Sequence, residues 1–503
     1  MVKWVAVPGA LTGGIAALDL YVDPEGVNMQ STFKTNQNDG ANGHKSAIHE
    51  NPTNKNRPTV VVLGAGFGGL WATRTFANRP VNVVLIDRHN YHTFFPLLYQ
   101  VGAAELEPED IAQPLRKIFW KQANVRFQLG EVREIDYSAK AVHLTNHQVH
   151  YDYLVVALGS KPNYYGIPGA AEYAFSLKSL EDGVTLRNQI LRSFERAACE
   201  QDPERRQGWL TFIIAGGGAT GVEFAGALME LINGSLNRDF PELDFTQVQV
   251  LLLEASDGLL QGMPDPLRAY ARERLTRMGV QVRSKSPLVE VTPDEVFLKD
   301  GSRIPSRTVI WTAGVTGNMV GEGGELAINR HNQVDVLPTL QVPDHPEVYV
   351  IGDSARIQQD GPPLPMVSQV GIQAGTWAAK NILRQLAGKE PLPFRYRDFG
   401  SWDVIGRNDA VIYMWGLSIR GFVAWIMWVV LNIYRLNGMR NRLLLMLDWA
   451  WAYLFGEHGV RLIAPSKTSP GKSRAAAERS DQTDADREPD RLEMMRTDRI
   501  LHR

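Results

Sequence analysis

Residues Thr59 to Ala77 read "TVVVLGAGFGGLWATRTFA", and this stretch decides the fold. Val60 to Leu63 are four apolar residues in a row, as a parallel strand buried on both faces requires. Gly64, Gly66 and Gly69 then mark a turn that leads into a helix. Each glycine has its own task in such a turn. Gly64 permits the tight bend, Gly66 lets the backbone approach a pyrophosphate, and Gly69 lets the helix pack closely on the strand. The helix N-terminus offers free amides and partial positive charge to phosphates. Residues Gly64, Ala65, Gly66, Phe67, Gly68 and Gly69 are therefore one candidate cofactor site. Eighteen residues after Gly69 a second apolar strand, "VNVVLIDR", ends in Asp87 and Arg88, which places a carboxylate for a ribose hydroxyl. Strand, glycines, helix, strand and acid in that order are far more specific than a glycine-rich turn alone.

The pattern occurs twice. In "LTFIIAGGGATGVEFAGALMEL" another apolar strand precedes Gly216, Gly217, Gly218, Ala219, Thr220 and Gly221, and the partner strand "VQVLLLEA" ends at Glu254. The wider gap between them is read as an inserted loop, "INGSLNRDFPELDFTQ". A carboxylate at Glu254 accepts from both hydroxyls of an adenosine ribose and repels a 2'-phosphate, which favours NADH over NADPH. Two further apolar strands, "YLVVALGS" with Gly159 and "TVIWTAGV" with Gly314, each follow one of these units and read as the return from it. A third, "EVYVIGDSA", delivers Asp353.

Composition narrows the chemistry. The 503 residues are 44% hydrophobic and 21% charged with a formal net charge of -2, so no basic excess suggests a nucleic-acid partner. The single cysteine, Cys199, rules out intramolecular disulfides, a CxxC redox pair and cysteine-based zinc or iron-sulfur sites; there is no EF-hand loop, and no metal site is assigned. Residues 1–56 read as a disordered extension, with Met29 an alternative start and export disfavoured, and residues 464–503 as a disordered tail without aromatic residues.

With "EVYVIGDSA" the chain resembles the two-dinucleotide-fold flavoprotein reductases, whose Gly-Asp motif contacts the ribitol of FAD. That resemblance implies that the first glycine unit and Asp353 hold FAD and that the second unit, inserted in the first, holds NADH. The string "FFPLLYQV", with Pro96 and Leu97 as cofactor-site candidates, and "AGGGATGVEFAGAL" resemble the type II NADH:quinone oxidoreductases. In that family the glutamate matching Glu223 lies near nicotinamide and flavin, which implies a role in nicotinamide placement or proton relay; a first-turn acid favouring the helix dipole is the competing reading. Gln369 and Gln373, at i and i+4 on one helix face, match the family's Ala-Gln-x-x-x-Gln element at the quinone end of the flavin, with Ser368 in place of alanine. Neutral amides can donate to quinone carbonyls without bringing charge into an apolar tunnel. The expected fold class is thus α/β: two Rossmann-like dinucleotide-binding domains, the NAD domain inserted in the FAD domain, plus a C-terminal amphipathic helical membrane-anchoring region. The expected boundaries are 57–180 and 326–400 for the FAD domain, 181–325 for the NADH domain and 401–463 for the anchoring helices.

The run Gly421 to Arg435, "GFVAWIMWVVLNIYR", is too short to span a membrane. The fourteen residues from Gly421 to Tyr434 would reach about 21 Å as a helix, against a hydrocarbon core of ~30 Å. Trp425, Trp428, Trp449 and Trp451 with Arg435, Arg440 and Arg442 suit two helices lying in the lipid interface instead. The reading is a peripheral membrane flavoenzyme on the cytoplasmic face, carrying hydride from NADH to FAD and electrons to a membrane quinone, with a homodimer left open. Its alternatives are a soluble reductase of a small redox protein and an NADH-binding redox sensor.

Overall fold

The computed structural model describes residues 56–320, 326–455 and 460–463; the expectations for the N-terminal extension and the tail fall outside the described residues. Strand β1 (Thr59–Leu63) is buried along Val60 to Leu63 because its run of apolar side chains leaves no face for water. The chain turns through the first glycine loop into helix α1 (Phe67–Phe76) and returns in β2 (Asn82–Asp87), parallel to β1 with Thr59 opposite Asn82. Strand β3 (Tyr153–Val156) flanks β1 on its other side, also parallel.

The same construction follows in β4 (Thr211–Ala215), α2 (Ala219–Leu231) and β5 (Gln249–Leu253), with β6 (Thr308–Trp311) parallel to β4. Strand β7 (His345–Val350) then rejoins the first sheet beside β3. Among the described residues the first sheet has six strands and the second five. The second lies in sequence between β3 and β7, so one dinucleotide-binding domain is inserted in the other. Ser160–Pro162 and Val315–Gly317 pair antiparallel, tying together the two chain segments that follow the return strands β3 and β6.

Two details depart from the sequence reading. The supposed loop after α2 begins as a continuation of the helix, with a π-helical turn at Ile232–Leu236, because Ile232 and Leu236 are buried in the core. The larger departure is in residues 401–463, expected to be helices throughout. They open with an antiparallel sheet, β8 (Ser401–Gly406), β9 (Asp409–Met414) and β10 (Leu417–Gly421), before the helical pair. The reason is local: Trp415 and Gly416, at φ 50° and 81°, form a two-residue turn with both residues in the left-handed region, which matches the twist of a hairpin.

Between β7 and this sheet runs the long helix Ser368–Leu386, which lies on α1. The contact is backbone on backbone: a Cβ on Gly375 would stand 2.1 Å from the Gly68 carbonyl oxygen. The chain ends its described course in helices Phe422–Arg435 and Met439–Phe455.

Candidate active site

The two glycine loops share one design. Gly64 and Gly216 take φ of 92° and 114°, which only glycine adopts without strain, and a Cβ at either would strike backbone of the strand-end turn behind it, Ala157 O at 2.3 Å or Ala313 Cα at 2.6 Å. A Cβ on Gly69 or Gly221 would lie 1.8 Å from Gly64 O or 2.0 Å from Gly216 O, so the third glycine lets the helix sit on its own loop. At Gly66 and Gly218 the added carbon would meet nothing within 4 Å. These second glycines face open space, as a backbone approached by a pyrophosphate must. Gly218, Ala219 and Thr220 are exposed at the start of α2, and Gly66, Phe67 and Gly68 are half-buried at the start of α1. Both cradles fit a dinucleotide.

The acids at the strand ends are built into the loops. Asp87 accepts from the Ala65 amide at 2.6 Å and the His89 amide at 2.7 Å; Glu254 accepts from the Gly217 amide at 2.7 Å and the Ser256 amide at 2.8 Å. In both cases one oxygen fixes the residue after the first glycine and the other closes a local turn. Each carboxylate oxygen still has lone-pair capacity for a ribose hydroxyl. Arg88 is exposed beside Asp87. Beneath the first loop, His92 is buried and its Nδ1 donates to the Ala65 carbonyl at 2.8 Å, since a carbonyl can only accept. Burial holds its pKa down to about 4, with the Ala65 bond opposing and Arg74 adding, so the ring is neutral and its Nε2 has no partner.

Asp353 stands where the third motif brings it. It accepts from the Ser160 hydroxyl at 2.5 Å, next to Gly159, which has φ 73° and open space where a Cβ would be. Lys178 lies against this group: burial lowers its ammonium from the usual range and the Asp353 carboxylate partly restores it. Ser160 is legible from the return strand, but nothing in the local pattern singles out Lys178. Gly314 abuts Tyr165, whose hydroxyl donates to Ala313 O at 3.3 Å.

The residues expected at the quinone end are already engaged. Gln369 donates to Gly400 O at 3.0 Å and accepts from the Phe399 amide at 3.3 Å; Gln373 donates to Arg397 O at 2.9 Å and accepts from the Arg397 amide at 3.0 Å. Their i, i+4 spacing therefore clamps the extended segment that leads into β8, with a second amide N–H of each beyond these bonds. Glu223 is the fifth residue of α2, past the first turn where a helix-dipole acid would sit, enclosed by protein yet retaining some accessible surface. Its carboxyl is held well above the usual range, first by burial and then by Asp403, while the Val404 amide opposes this. Pro96 and Leu97 lie in a short 3-10 turn, and Leu97 is fully buried in the hydrophobic core around α2. Tyr99, one turn on, is buried too, its phenol raised by burial, then by Glu223 and Glu105.

The model of the pyridine nucleotide-disulphide oxidoreductase family matches residues 58–375. The type II NADH:quinone oxidoreductase Ndh of Mycobacterium tuberculosis is 36% identical over 418 residues, covering 80% of this chain and 89% of that protein. The chain belongs to the type II NADH:quinone oxidoreductases. A second member, from Staphylococcus haemolyticus, is 30% identical over 398 residues, 76% of this chain and 97% of its own. The fold agrees with that of NDH2 from Plasmodium falciparum in complex with NADH, at a TM-score of 0.75 and 18% identity over 81% of this chain and all of that one. The sulfide:quinone oxidoreductase of Aquifex aeolicus shares the fold at a TM-score of 0.63 and 19% identity, over 82% of this chain and 99% of that one. This type II oxidoreductase has one cysteine, Cys199, exposed at the end of helix Leu180–Cys199, so no disulfide within the chain serves its chemistry.

No helix among the described residues of this family member is long and apolar enough to cross a membrane. The final two helices are two-faced. Ala424, Trp428 and Asn432, at i, i+4 and i+8, are buried, while Phe422, Val423, Ile426 and Val430 are exposed. On the second, Asn441 and Leu445 are buried and Leu443, Met446, Leu447 and Trp451 are exposed. The four tryptophans expected at headgroup level thus divide: Trp451 faces out, Trp425 is half-buried, Trp428 is buried, and Trp449 donates to Gln100 Oε1 at 3.1 Å. The structure also gives Arg442 an internal task, donating to the carbonyls of Leu436 at 2.8 Å and Tyr434 at 2.6 Å to close the corner between the helices. Asn441 fixes the second helix to the first domain through the carbonyls of Glu109, Asp110 and Ala112.

Proposed function

We propose that this protein is a peripheral membrane flavoenzyme that takes hydride from NADH onto FAD and passes two electrons to a quinone dissolved in the bilayer, without pumping protons. The observation that supports it best is that one chain builds the same dinucleotide cradle twice and leaves each open at its second glycine. The first cradle, with Asp87, Gly159, Ser160 and Asp353, is assigned to FAD. The second, with Glu254, is assigned to NADH. The corresponding domains are 57–180 with 326–400, and 181–325. Bound FAD would supply the two-electron chemistry. The chain's own residues orient the two rings, exclude water and hold a proton at Glu223. Gln369 and Gln373 set the segment beside the quinone and keep one amide N–H each to offer it.

The apolar faces of the last two helices are assigned to the lipid surface on the cytoplasmic side, whether the enzyme works as a monomer or a homodimer. A lipid-dissolved quinone reaches the flavin only if the enzyme is held against the bilayer. Deleting this region would be a poor test, because Trp428, Leu445 and β10 belong to the fold. Serine at Val430, Leu447 and Leu454, all exposed, removes lipid contacts alone. Each large apolar side chain that leaves water is worth about 1.5–3 kcal/mol, so the triple variant should bind vesicles at least ~100-fold more weakly. It should still be bleached by NADH in stopped flow at the wild-type rate while reducing vesicle-borne quinone far more slowly. A wild-type protein that purifies without flavin, is not bleached by NADH, or is not re-oxidised by quinone overturns the reading.

A further inference from the structure

Glu223 is held from outside its own domain. Gly226 of α2 lies directly on β8, where a Cβ would stand 1.7 Å from the Ile405 carbonyl oxygen, so helix and strand meet backbone to backbone. Glu223 is three residues earlier, on the same face of the helix, which brings its carboxyl to Asp403 and to the Val404 amide that donates to it. Asp403 sits in the body of β8, paired through the ladder with Val411 of β9, and the residue is 9% exposed. Burial holds its carboxyl up to about 7.

The other ionisable groups near the pair are the Tyr99 phenol, from the helix Leu98–Gly102, and Glu105 and Glu230 beyond it. Arg407 and Arg274 act on Glu230, which accepts from the Arg407 amide, and neither offsets the charge of Glu223 or Asp403. Two carboxyls that act on each other away from water do not both ionise readily, and the second proton belongs to the pair as a whole.

We propose that Asp403 is a positioning residue for Glu223: across the contact of α2 with β8 the two carboxyl groups share one proton and act as a singly charged acid pair. This rests on the function proposed above and deepens it. Reduction of a quinone to hydroquinone by NADH consumes one proton beyond the hydride, which itself carries two electrons and one proton. The pair gives up that further proton and regains one from water, so NADH, H+ and quinone become NAD+ and hydroquinone. The arrangement also ties the proton store to the segment clamped by Gln369 and Gln373, which enters β8 at Ser401, two residues before Asp403.

The test uses the full-length flavin-loaded enzyme on quinone-containing vesicles between pH 5.5 and 8.5, as wild type, Asp403→Asn and Asp403→Glu. Wild-type turnover with quinone falls on the alkaline side as the pair loses its remaining proton. In Asp403→Asn, Glu223 has no acidic partner and releases its proton earlier, so that limb moves at least about one pH unit lower. Turnover at pH 8 then drops about tenfold while that at pH 5.5 stays within twofold and the KM for NADH is unchanged; Asp403→Glu keeps the wild-type limb. If Asp403→Asn fails to retain flavin, Asp403→Ser replaces it in the same comparison. A limb that does not move in the neutral variant, or an equal loss at every pH shared by Asp403→Glu, overturns the proposal alone. A wild-type enzyme that reduces no quinone overturns the functional reading and the proposal with it.

Discussion

The two glycine loops share one design, and they differ in what covers them. Each has a turn glycine, an open glycine and a packing glycine, and each has an acid that accepts the amide of the residue after the first glycine. The helix of the first loop is covered by Ser368–Leu386 at the Gly68–Gly375 contact, and its Ala65 carbonyl is pinned by buried His92. The helix of the second is covered by β8 at the Gly226–Ile405 contact, and no buried imidazole is found under that loop among the described residues. On the proposed assignment, the socket of the permanent cofactor is closed by its own domain. The socket of the exchanging cofactor leans on the sheet that leads to the exposed apolar helices.

The strongest way to break this comparison is to fill the packing glycines. Gly69→Ala and Gly221→Ala each place a carbon on rigid backbone, and overpacking of this kind costs about 1–3 kcal/mol or more. Gly69→Ala should purify without flavin and with a lowered Tm. Gly221→Ala should stay yellow but raise the KM for NADH at least ~10-fold. Equal flavin loss in both, read from visible absorbance per mole of protein, would erase the difference between the loops.

Acid should separate them next. A folded pKa of about 4 for His92 lies below the ordinary 6.5, so as pH falls the unfolded chain takes the proton first. The stability tied to this neutral ring is complete above pH ~6.5 and drains between ~6.5 and ~4, by on the order of 3 kcal/mol. Flavin release, followed by fluorescence, should therefore rise through that window. His92→Asn, which keeps an amide N–H for the Ala65 carbonyl but does not titrate, should flatten the rise. Release that is independent of pH in the wild type would mean the imidazole does not secure the loop.

The smallest expected effect sharpens the second site. Glu254→Gln keeps the shape and removes the charge that two backbone amides donate to. Charged acceptors are worth about 1 kcal/mol more than neutral ones, so NADH affinity should fall roughly five- to tenfold, with a smaller loss for NADPH. Steady-state KM values for the two cofactors would show it; an unchanged ratio would remove Glu254 from cofactor choice.

Much of the site was legible because its demands are local. A buried parallel strand needs a run of apolar residues, a turn that bends at positive φ needs glycine, and an acid at a strand end is always one loop away from the preceding turn. Those constraints fall within some thirty residues of chain, so the two cradles could be read without coordinates, and the family resemblance singled out Asp353 and the i, i+4 glutamines. The partners of the glutamines could not, since the amides pair with backbone at 397–400 that has no side-chain signature. The tryptophans misled for a related reason: composition marks a helix as amphipathic, but which indole turns inward depends on what lies beside it, as Gln100 does for Trp449.

The sequence by itself thus determined the repeated α/β cradle, because it follows from short-range backbone sterics and burial, while the insertion of one unit in the other and the candidate dinucleotide contacts came from the family resemblance. Only the tertiary structure decided that β8 lies on α2 and sets Asp403 against Glu223. That pairing joins residues 180 positions apart through two backbones in contact, and no local pattern in either segment carries it.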